Sequence, residues 1–412
     1  MEVSAKDRDI LRRLATEYAA IAALPQQREN KELWKASNDL RPVRPVVYIY
    51  QVCWIEMDYE NELTCLCEDE FARKIEANLR ENIYRWKHMP VDMVVEDVLY
   101  CPMAVSASPV LPVKGDRLQE FEGGVTSTHF EQQITCEEDI KKIQIPVVTH
   151  DADKSAAWLD YYQKAVGDII PVKQRGPSGF RLSIWDRVVE WTGVQEVLLD
   201  LVLRPDYVHQ IVQRTFDAYN SVVDQYLELG IVGDYNNDLC TSDGALGYTD
   251  QLPAGAKEPL KNLWGGAADQ IFGEVSPEMH KEFALDYNKK WHERFGLNYY
   301  GCCEPLHNKV EVIRENIPNL RKISASPWAD IPSMAEQCGD ELVVSIKPNP
   351  AILAEDTFSL ERARNYLTER IAPAKDCAVE IVLKDITTVR NEPQRLWQWA
   401  EMALDVAKNA AK

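Results

Sequence analysis

The chain has 412 residues, of which 45% are hydrophobic and 27% are charged, so it is long enough to bury a large core. Its formal net charge is −20, with 66 acidic and 46 basic residues. Nucleic acids and anionic membrane surfaces attract clustered positive charge, so this balance argues against either as the main partner.

The N-terminal sequence has no apolar signal core, and no run of about 18 apolar residues occurs in the chain. We therefore expect a cytoplasmic protein that is neither exported nor inserted in a membrane. In that reducing compartment the ten cysteines are expected to be free thiols or metal ligands rather than disulfides.

The N-terminal segment has the pattern of an amphipathic helix. Leu11, Leu14 and Tyr18 fall near the three- and four-residue spacing of one helix face. We predict that residues 1–43 form a helical extension. It either caps the remaining chain or joins two copies in a homodimer.

Residues 44–412 alternate between strand and helix patterns without a long linker. Glycine, threonine and short strand signals at 103–150 predict an inserted β excursion over the mouth of a barrel, after the second strand. The alternation predicts an α/β protein with one (β/α)8 TIM-type barrel. The predicted strands are 46–52, 91–96, 169–173, 230–234, 297–301, 320–324, 342–346 and 378–383. The main predicted helices are 68–88, 151–166, 205–229 and 276–295, the last with Ser276 as N-cap.

Active sites of such barrels lie at the carboxyl ends of the strands, so polar residues there are the first candidates for chemistry. Ion pairing with a purely structural role explains these residues as well, because such networks resemble functional clusters. The candidate acid, base or charge-bearing residues are Glu56, Glu96, Asp238, Lys384 and Asp385.

The sharpest cluster is Cys302-Cys303-Glu304, with His307 three residues further on. Thiolate, carboxylate and imidazole groups are the ligands that zinc prefers, and a catalytic zinc keeps three protein ligands and one open position. Adjacent cysteines on an extended strand point in different directions, so a second loop would then have to add a ligand. The alternative is a pair of free cysteines that pack as small apolar groups.

Aromatic and amide side chains near the same strand ends are candidates for a pocket that holds a flat substrate. Core packing explains buried aromatic residues equally well, so both interpretations stay open. The candidate substrate-binding residues are Trp54, Tyr300, Trp328 and Asn349.

Five segments of the chain carry recognisable motifs in a fixed order. They are 171–193 (PVKQRGPSGFRLSIWDRVVEWTG), 276–287 (beginning SPEMH), 299–304, 324–330 and 339–353. In this order they resemble the uroporphyrinogen-decarboxylase superfamily, which includes corrinoid- and zinc-dependent methyltransferases. The resemblance covers residues from about 168 onward, and 44–100 fit its first two barrel strands less specifically. It is closest to the first methyltransferase of an O-demethylase, which passes a methyl group from a methoxylated compound to a corrinoid protein.

The resemblance implies a zinc ion held by a His-x-Cys pair and by a later cysteine after the last strand. Cys302 matches the first cysteine, but Tyr300 stands at the histidine position. The last strand ends in Lys384-Asp385, without a cysteine. The residues left to complete the ligand set are Cys303, Glu304, His307, Glu56 and Glu96.

We therefore expect a metal-assisted methyltransferase that acts on a small donor, such as a methoxylated aromatic compound. Its cofactors would be zinc and a corrinoid supplied by a partner protein. A methyl ether is a poor electrophile because it expels an alkoxide or phenoxide, so the developing charge must be stabilised. One alternative is a uroporphyrinogen-decarboxylase-like lyase for a carboxylated cyclic substrate. Another is a non-catalytic barrel that binds a corrinoid or another small ligand.

Overall fold

A computed structural model of the protein describes residues 2–120, 126–253, 255 and 257–411. Its strands are β1 (Val46–Ile49), β2 (Leu99–Pro102), β3 (Val105–Ala107), β4 (Gly115–Glu120), β5 (Thr126–Phe130), β6 (Val148–His150), β7 (Val172–Arg175), β8 (Phe180–Leu182), β9 (Trp264–Ala267), β10 (Leu297–Tyr300), β11 (Leu320–Ala325), β12 (Val343–Ile346) and β13 (Ala378–Leu383).

The α-helices alternate with these strands. They are α1 (Ala5–Ala22), α2 (Pro25–Asn38), α3 (Glu70–His88), α4 (Ala152–Val166), α5 (Ile184–Thr192), α6 (Val194–Leu203), α7 (Pro205–Glu228), α8 (Pro277–His280), α9 (Asp286–His292), α10 (Val310–Asn316), α11 (Ile331–Cys338), α12 (Ala351–Ala354), α13 (Leu360–Ile371) and α14 (Gln394–Asn409). No helix in the described part of the chain is long and apolar enough to cross a membrane.

Most of the predicted helices are confirmed. The residues that start a helix lie within or next to it, so they can be recognised from the sequence. Ser4 accepts a hydrogen bond from the Asp7 N–H at the start of α1, and Pro25 opens α2 where its missing N–H costs nothing. Ser276 caps α8 as expected. The single helix predicted at 276–295 is instead two α-helices, α8 and α9, joined by a π-helical turn at 281–285.

The architecture is mixed α/β, with a seven-stranded sheet in the order β1-β13-β12-β11-β10-β9-β8. All neighbouring strands in it are parallel, as in a TIM-like barrel. β2 and β7 form a separate parallel pair. Within the described ranges, no ladder hydrogen bonds join β1 to β8, so these two strands are the edges of the sheet.

The prediction of a strand at 91–96 is wrong. Side chains of α2 take up the backbone groups that a strand would use for pairing. Asn30 donates to Met93 O at 2.7 Å, and Trp34 donates from its indole to Asp92 O at 2.7 Å. The segment therefore runs along α2, and the second strand of the chain is β2, further on.

The strand prediction at 230–234 is also wrong, since that segment leads into an irregular loop. Conversely, β8 and β9 were missed. β9 contains Gly265 and Gly266, which weaken a strand signal. Both are needed for close packing, because a Cβ at Gly265 would lie 2.3 Å from the Phe295 ring and one at Gly266 2.3 Å from Ser242 Cβ.

The inserted excursion consists of short antiparallel strands, β3 with β6 and β4 with β5, and its residues 121–125 lie outside the described part. Ile134 N–H donates to Trp191 O at 3.0 Å, and Arg214 donates to Ile143 O at 2.9 Å. These contacts hold residues 134 and 143 of the excursion against α5 and α7.

One face of the sheet is polar and is filled by the loop around residue 245. Lys322 and Glu380 lie there, fully buried, with 2.8 Å between Nζ and Oε2. Glu380 also accepts from Ala245 N–H, and Lys322 donates to Leu246 O. Trp34 packs with this loop, so the N-terminal helices are in contact with the sheet domain.

Candidate active site at the carboxyl ends of the strands

The site begins at a turn that only glycine accommodates. Gly301 follows β10 with φ of 98°, and a Cβ there would lie 2.5 Å from Leu306 Cδ1. The turn brings the sulfur atoms of Cys302 and Cys303 to 3.4 Å from each other. The two thiols would point apart on an extended strand, but the chain is no longer extended at Cys302.

Lys384, at the end of β13, lies beside both sulfur atoms. Its Nζ is 3.2 Å from Cys302 Sγ and 3.9 Å from Cys303 Sγ. The Asp385 carboxylate lies 3.1 Å from the same Nζ and 3.9 Å from Cys303 Sγ. The structure thus brings together four of the residues singled out in the sequence.

Asp243 and Arg181 complete this cluster, and sequence reasoning missed both. Asp243 Oδ1 is 3.4 Å from Lys384 Nζ, and its Oδ2 is 2.9 Å from the Arg181 guanidinium. Arg181 lies on the three-residue strand β8, and Asp243 lies in a loop without periodicity. The strand-end rule marked neither residue, because β8 was not predicted as a strand and the loop around Asp243 has no periodic pattern.

The charges of the cluster support each other. Burial by itself would lower the pKa of Lys384, but Asp243 and the two cysteine sulfurs outweigh it, so the pKa is raised. The pKa of Cys303 is lowered by the hydrogen bond from Cys302 and by the charge of Lys384, against the effect of burial. The dithiol therefore readily carries one negative charge, held largely on the partly exposed Cys303.

A second lysine lies on the polar face of the sheet. Lys347 donates to Tyr299 OH at 2.7 Å and to Ser345 O at 3.1 Å. Burial lowers the pKa of Lys347 to about 8, so its proton is available near neutral pH. Lys347 follows β12, and this strand-end position is the signal that identifies it in the sequence.

Glu304 supports the cysteine turn from behind. Its Oε2 accepts the Cys302 N–H at 3.0 Å, and the side chain is almost fully buried. Burial raises the pKa of Glu304 to about 8. The carboxyl group is thus protonated in the folded protein at neutral pH, with Oε2 bonded to the Cys302 backbone N–H.

The raised pKa of Glu304 makes a prediction about stability. Between its ordinary value of 4.5 and about 8, the folded protein binds a proton that the unfolded chain has released. The contribution of Glu304 to the free energy of unfolding is therefore fully present below pH 4.5, and it is lost as pH rises toward about 8. Between the two ends of the window, wild type should lose more than about 1 kcal/mol of unfolding free energy relative to Glu304→Gln. Urea denaturation at both pH values measures this, and parallel pH profiles of the two proteins would contradict it.

The expected zinc ligands do not assemble. Among the residues that the structure describes, no group of three or more histidine, cysteine, aspartate or glutamate side chains is arranged to hold a metal ion. Glu304 is engaged with the backbone, and the pairing of His307 shown by the structure is through its carbonyl oxygen, with Ser333 and Gln337. The Lys384 ammonium already places a positive charge beside both sulfurs. This donor set therefore does not fit zinc.

The structure places Tyr300, a substrate-binding candidate from the sequence, in the protein interior rather than at an open surface. It is fully buried, donates to Asp269 Oδ2 at 2.7 Å and lies 2.6 Å from His280 Nε2. Side chains alternate along a strand, so Tyr299 faces the polar side of the sheet while Tyr300 packs under the outer helices.

The other three substrate candidates lie in separate loops at the carboxyl ends of their strands. Trp54 follows β1 and packs under the Arg85 guanidinium, 5.1 Å from its ring centre. Asn349 follows β12 and accepts from Ala351 N–H at the start of α12. Trp328 follows β11 and is 70% exposed. Of these three side chains, Trp328 is the most exposed aromatic ring, whereas Trp54 lines a cleft of about 360 Å³.

Glu56 stabilises the loop that follows β13. Its Oε2 accepts hydrogen bonds from Thr388 Oγ1 at 2.9 Å and from the backbone N–H groups of Val389 and Asn391. It therefore holds the loop that follows Lys384-Asp385, and its carboxylate is occupied by that loop.

Glu96 and Asp238 belong to a second polar cluster. Lys31 Nζ lies 2.6 Å from Glu96, and Arg175 donates to Asp238 at 2.7 Å while its guanidinium covers the Tyr100 ring. The cluster lines two clefts of about 690 and 450 Å³. In the described part of the chain, no hydrogen bond connects Glu96 or Asp238 to the Cys302–Lys384 cluster.

No protein-family model matches the chain, and no curated protein sequence matches it. Among solved structures, the chain is similar to a methyltransferase from Methanosarcina mazei, with a TM-score of 0.49 and 12% sequence identity. The alignment covers 90% of this chain and 97% of that one. Such a likeness is too distant to carry an activity from one protein to the other.

Proposed function

We propose that the protein is a methyltransferase that moves a methyl group from a small donor, such as a methoxylated aromatic compound, to a corrinoid held by a partner protein. The observation that supports this best is the pair of cations, Lys384 and Arg181, on either side of Asp243 at the strand ends. A methyl ether needs positive charge at its leaving oxygen, and this pair supplies it. The family-like order of motifs in the sequence favours the same reaction class.

Lys384 is the residue that we assign to the leaving oxygen. Its raised pKa keeps it protonated at neutral pH, so it offers both charge and a hydrogen-bond donor. Asp243 holds the ammonium in place, and Arg181, whose side chain is 34% exposed, provides a second donor to the same oxygen. The donor methyl group would then point toward the open side, where Asp385 is half-exposed.

The corrinoid would supply cobalt(I), a strong nucleophile for the methyl carbon. No step through zinc is included, because the donor set does not fit that ion. Lys384 instead performs the charge stabilisation that a Lewis acid provides in metal-assisted reactions.

A carboxy-lyase acting on a carboxylated cyclic substrate is the second candidate, and Lys347 is the observation that favours it. With a pKa lowered to about 8, Lys347 can protonate a carbanion left after loss of carbon dioxide. Arg181 would bind the remaining carboxylates through its planar fork.

One experiment distinguishes these functions. The purified protein is incubated with reduced free cobalamin, standing in for the protein-bound corrinoid, and with a panel of methoxylated aromatic compounds. We expect methylcobalamin to form, followed by its absorption spectrum. In parallel, carbon dioxide release is measured from carboxylated cyclic compounds. Carbon dioxide without methylcobalamin would replace the proposal with the lyase, and silence in both assays would favour a non-catalytic binding barrel.

A further inference from the structure

The two adjacent cysteines form a vicinal dithiol of which one thiol is partly exposed. Their sulfur atoms are 3.4 Å apart and face the same side, because Gly301 turns the chain just before them. Cys302 is buried and Cys303 is partly exposed, so a ligand reaches the pair through Cys303. We propose that Cys302 and Cys303 together bind a trivalent arsenical, a neutral, three-coordinate and thiophilic centre that takes two sulfur ligands.

Coordination number selects this class over zinc. A trivalent arsenical brings one substituent of its own and needs only two thiols, which is the number that the pair supplies. Zinc sites use four ligands, of which at least three come from the protein in catalytic sites. Such a set is absent from the described residues. Thiolate sulfur is a soft ligand and suits a soft centre.

The positive charge of Lys384 also favours a neutral arsenical over zinc. The Lys384 ammonium lies 3.2 Å from Cys302 Sγ and 3.9 Å from Cys303 Sγ, where it repels a divalent cation bound to the sulfurs. A trivalent arsenical is neutral before and after binding, so the ammonium does not oppose it. Asp243 and Asp385 pair with Lys384 and keep it in this position.

The binding reaction is balanced without an oxidant. A hydrated arsenical has two hydroxyl groups on arsenic. Two arsenic–oxygen bonds break and two arsenic–sulfur bonds form. From the fully protonated dithiol, each thiol proton leaves with one hydroxide and two water molecules are released. From the form with one thiolate, one water molecule and one hydroxide ion are released, and in both cases arsenic stays trivalent. The reaction needs no turnover of a methyl donor, so it is independent of the proposed methyl transfer.

The remaining cysteines offer a matched control. Cys65 is also partly exposed and has a cysteine, Cys67, two residues away. Their sulfur atoms contact different carbonyl oxygens, those of Leu63 and Asp7, each at 3.9 Å. This second pair is also close in sequence and also has one buried and one partly exposed thiol, but no hydrogen bond between its sulfur atoms is found in the described part of the chain.

The test uses phenylarsine oxide and the full chain, kept reduced with an excess of a monothiol. After gel filtration we expect one arsenic per chain by elemental analysis and intact mass. A dithiol such as 2,3-dimercaptopropanol should remove it. Cys303→Ser and Cys302→Ser should lose arsenic retention, whereas Cys65→Ser and Lys384→Met should keep it. Circular dichroism of each variant verifies that the protein is folded.

Three results would overturn the proposal. The first is a folded wild type that retains no arsenic against the monothiol. The second is a folded Cys303→Ser variant that binds arsenic as wild type does. The third is loss of binding in Lys384→Met, since a neutral centre should not depend on that charge.

Discussion

Replacing Glu380 with glutamine is expected to lower the free energy of unfolding by about 3–5 kcal/mol, because it leaves a buried cation without its partner. Lys322 Nζ lies 2.8 Å from Glu380 Oε2, and both side chains are fully buried. Glu380 also accepts from Ser345 Oγ and Ala245 N–H, so it joins two strands to the loop that fills the polar face. Urea denaturation followed by circular dichroism measures the change.

An exposed ion pair serves as the matched control. Lys74 and Glu70 are 2.9 Å apart, but their side chains are 69% and 83% exposed. Glu70→Gln should therefore change stability by less than about 0.5 kcal/mol. The double variant Lys322→Met/Glu380→Gln should be more stable than Glu380→Gln, since it removes the lone cation. A Glu380→Gln effect no larger than that of Glu70→Gln would show that the pair is hydrated.

Replacing Lys384 with methionine is expected to reduce kcat for methyl transfer by about 10²–10³-fold, the usual effect of removing one group that stabilises a developing negative charge. Methionine keeps the length and apolar stem of lysine and removes only the charge and the donors. If the ammonium acts on the leaving oxygen, kcat should fall more than KM rises. Initial rates of methylcobalamin formation over a range of donor concentrations separate the two constants.

The control for that experiment is Lys164→Met. Lys164 is 61% exposed and pairs with Asp160 on the surface of α4, so its loss should leave both constants unchanged. A Lys384→Met protein with wild-type kcat would remove Lys384 from the reaction. An unchanged melting temperature in both variants ensures that any difference reflects chemistry rather than unfolding.

The local elements could be predicted wherever the signal was itself local. The helix cap at Ser276 and the buried run of β13 needed no information from distant residues. The segment 91–96 failed because its strand-like composition was overridden by α2, whose side chains bind its backbone. The prediction missed β9 because its two glycines weaken the strand pattern. They are needed because Phe295 and Ser242 pack against them, and the sequence pattern does not show those contacts.

The candidate site followed the same division. The strand-end rule selected Cys302, Cys303, Lys384 and Asp385, because parallel strands end at one edge and the residues after them are readable in sequence. The same rule also selected Glu96 and Asp238 as candidate catalytic residues. The structure places those two in another cluster, with Lys31 and Arg175 as partners.

The sequence by itself determined that cysteines and charged residues follow the strands of a largely parallel α/β fold. Only the tertiary structure decided what they form. Lys384 is 82 residues from Cys302 along the chain, and Asp243 and Arg181 come from a loop and an edge strand. The positive φ of Gly301 then turns both thiols to the same side. Side-chain direction after a turn and contacts between distant segments depend on packing, which the sequence does not show. For this reason the cysteines that suggested a zinc site in the sequence form a dithiol beside Lys384 in the structure.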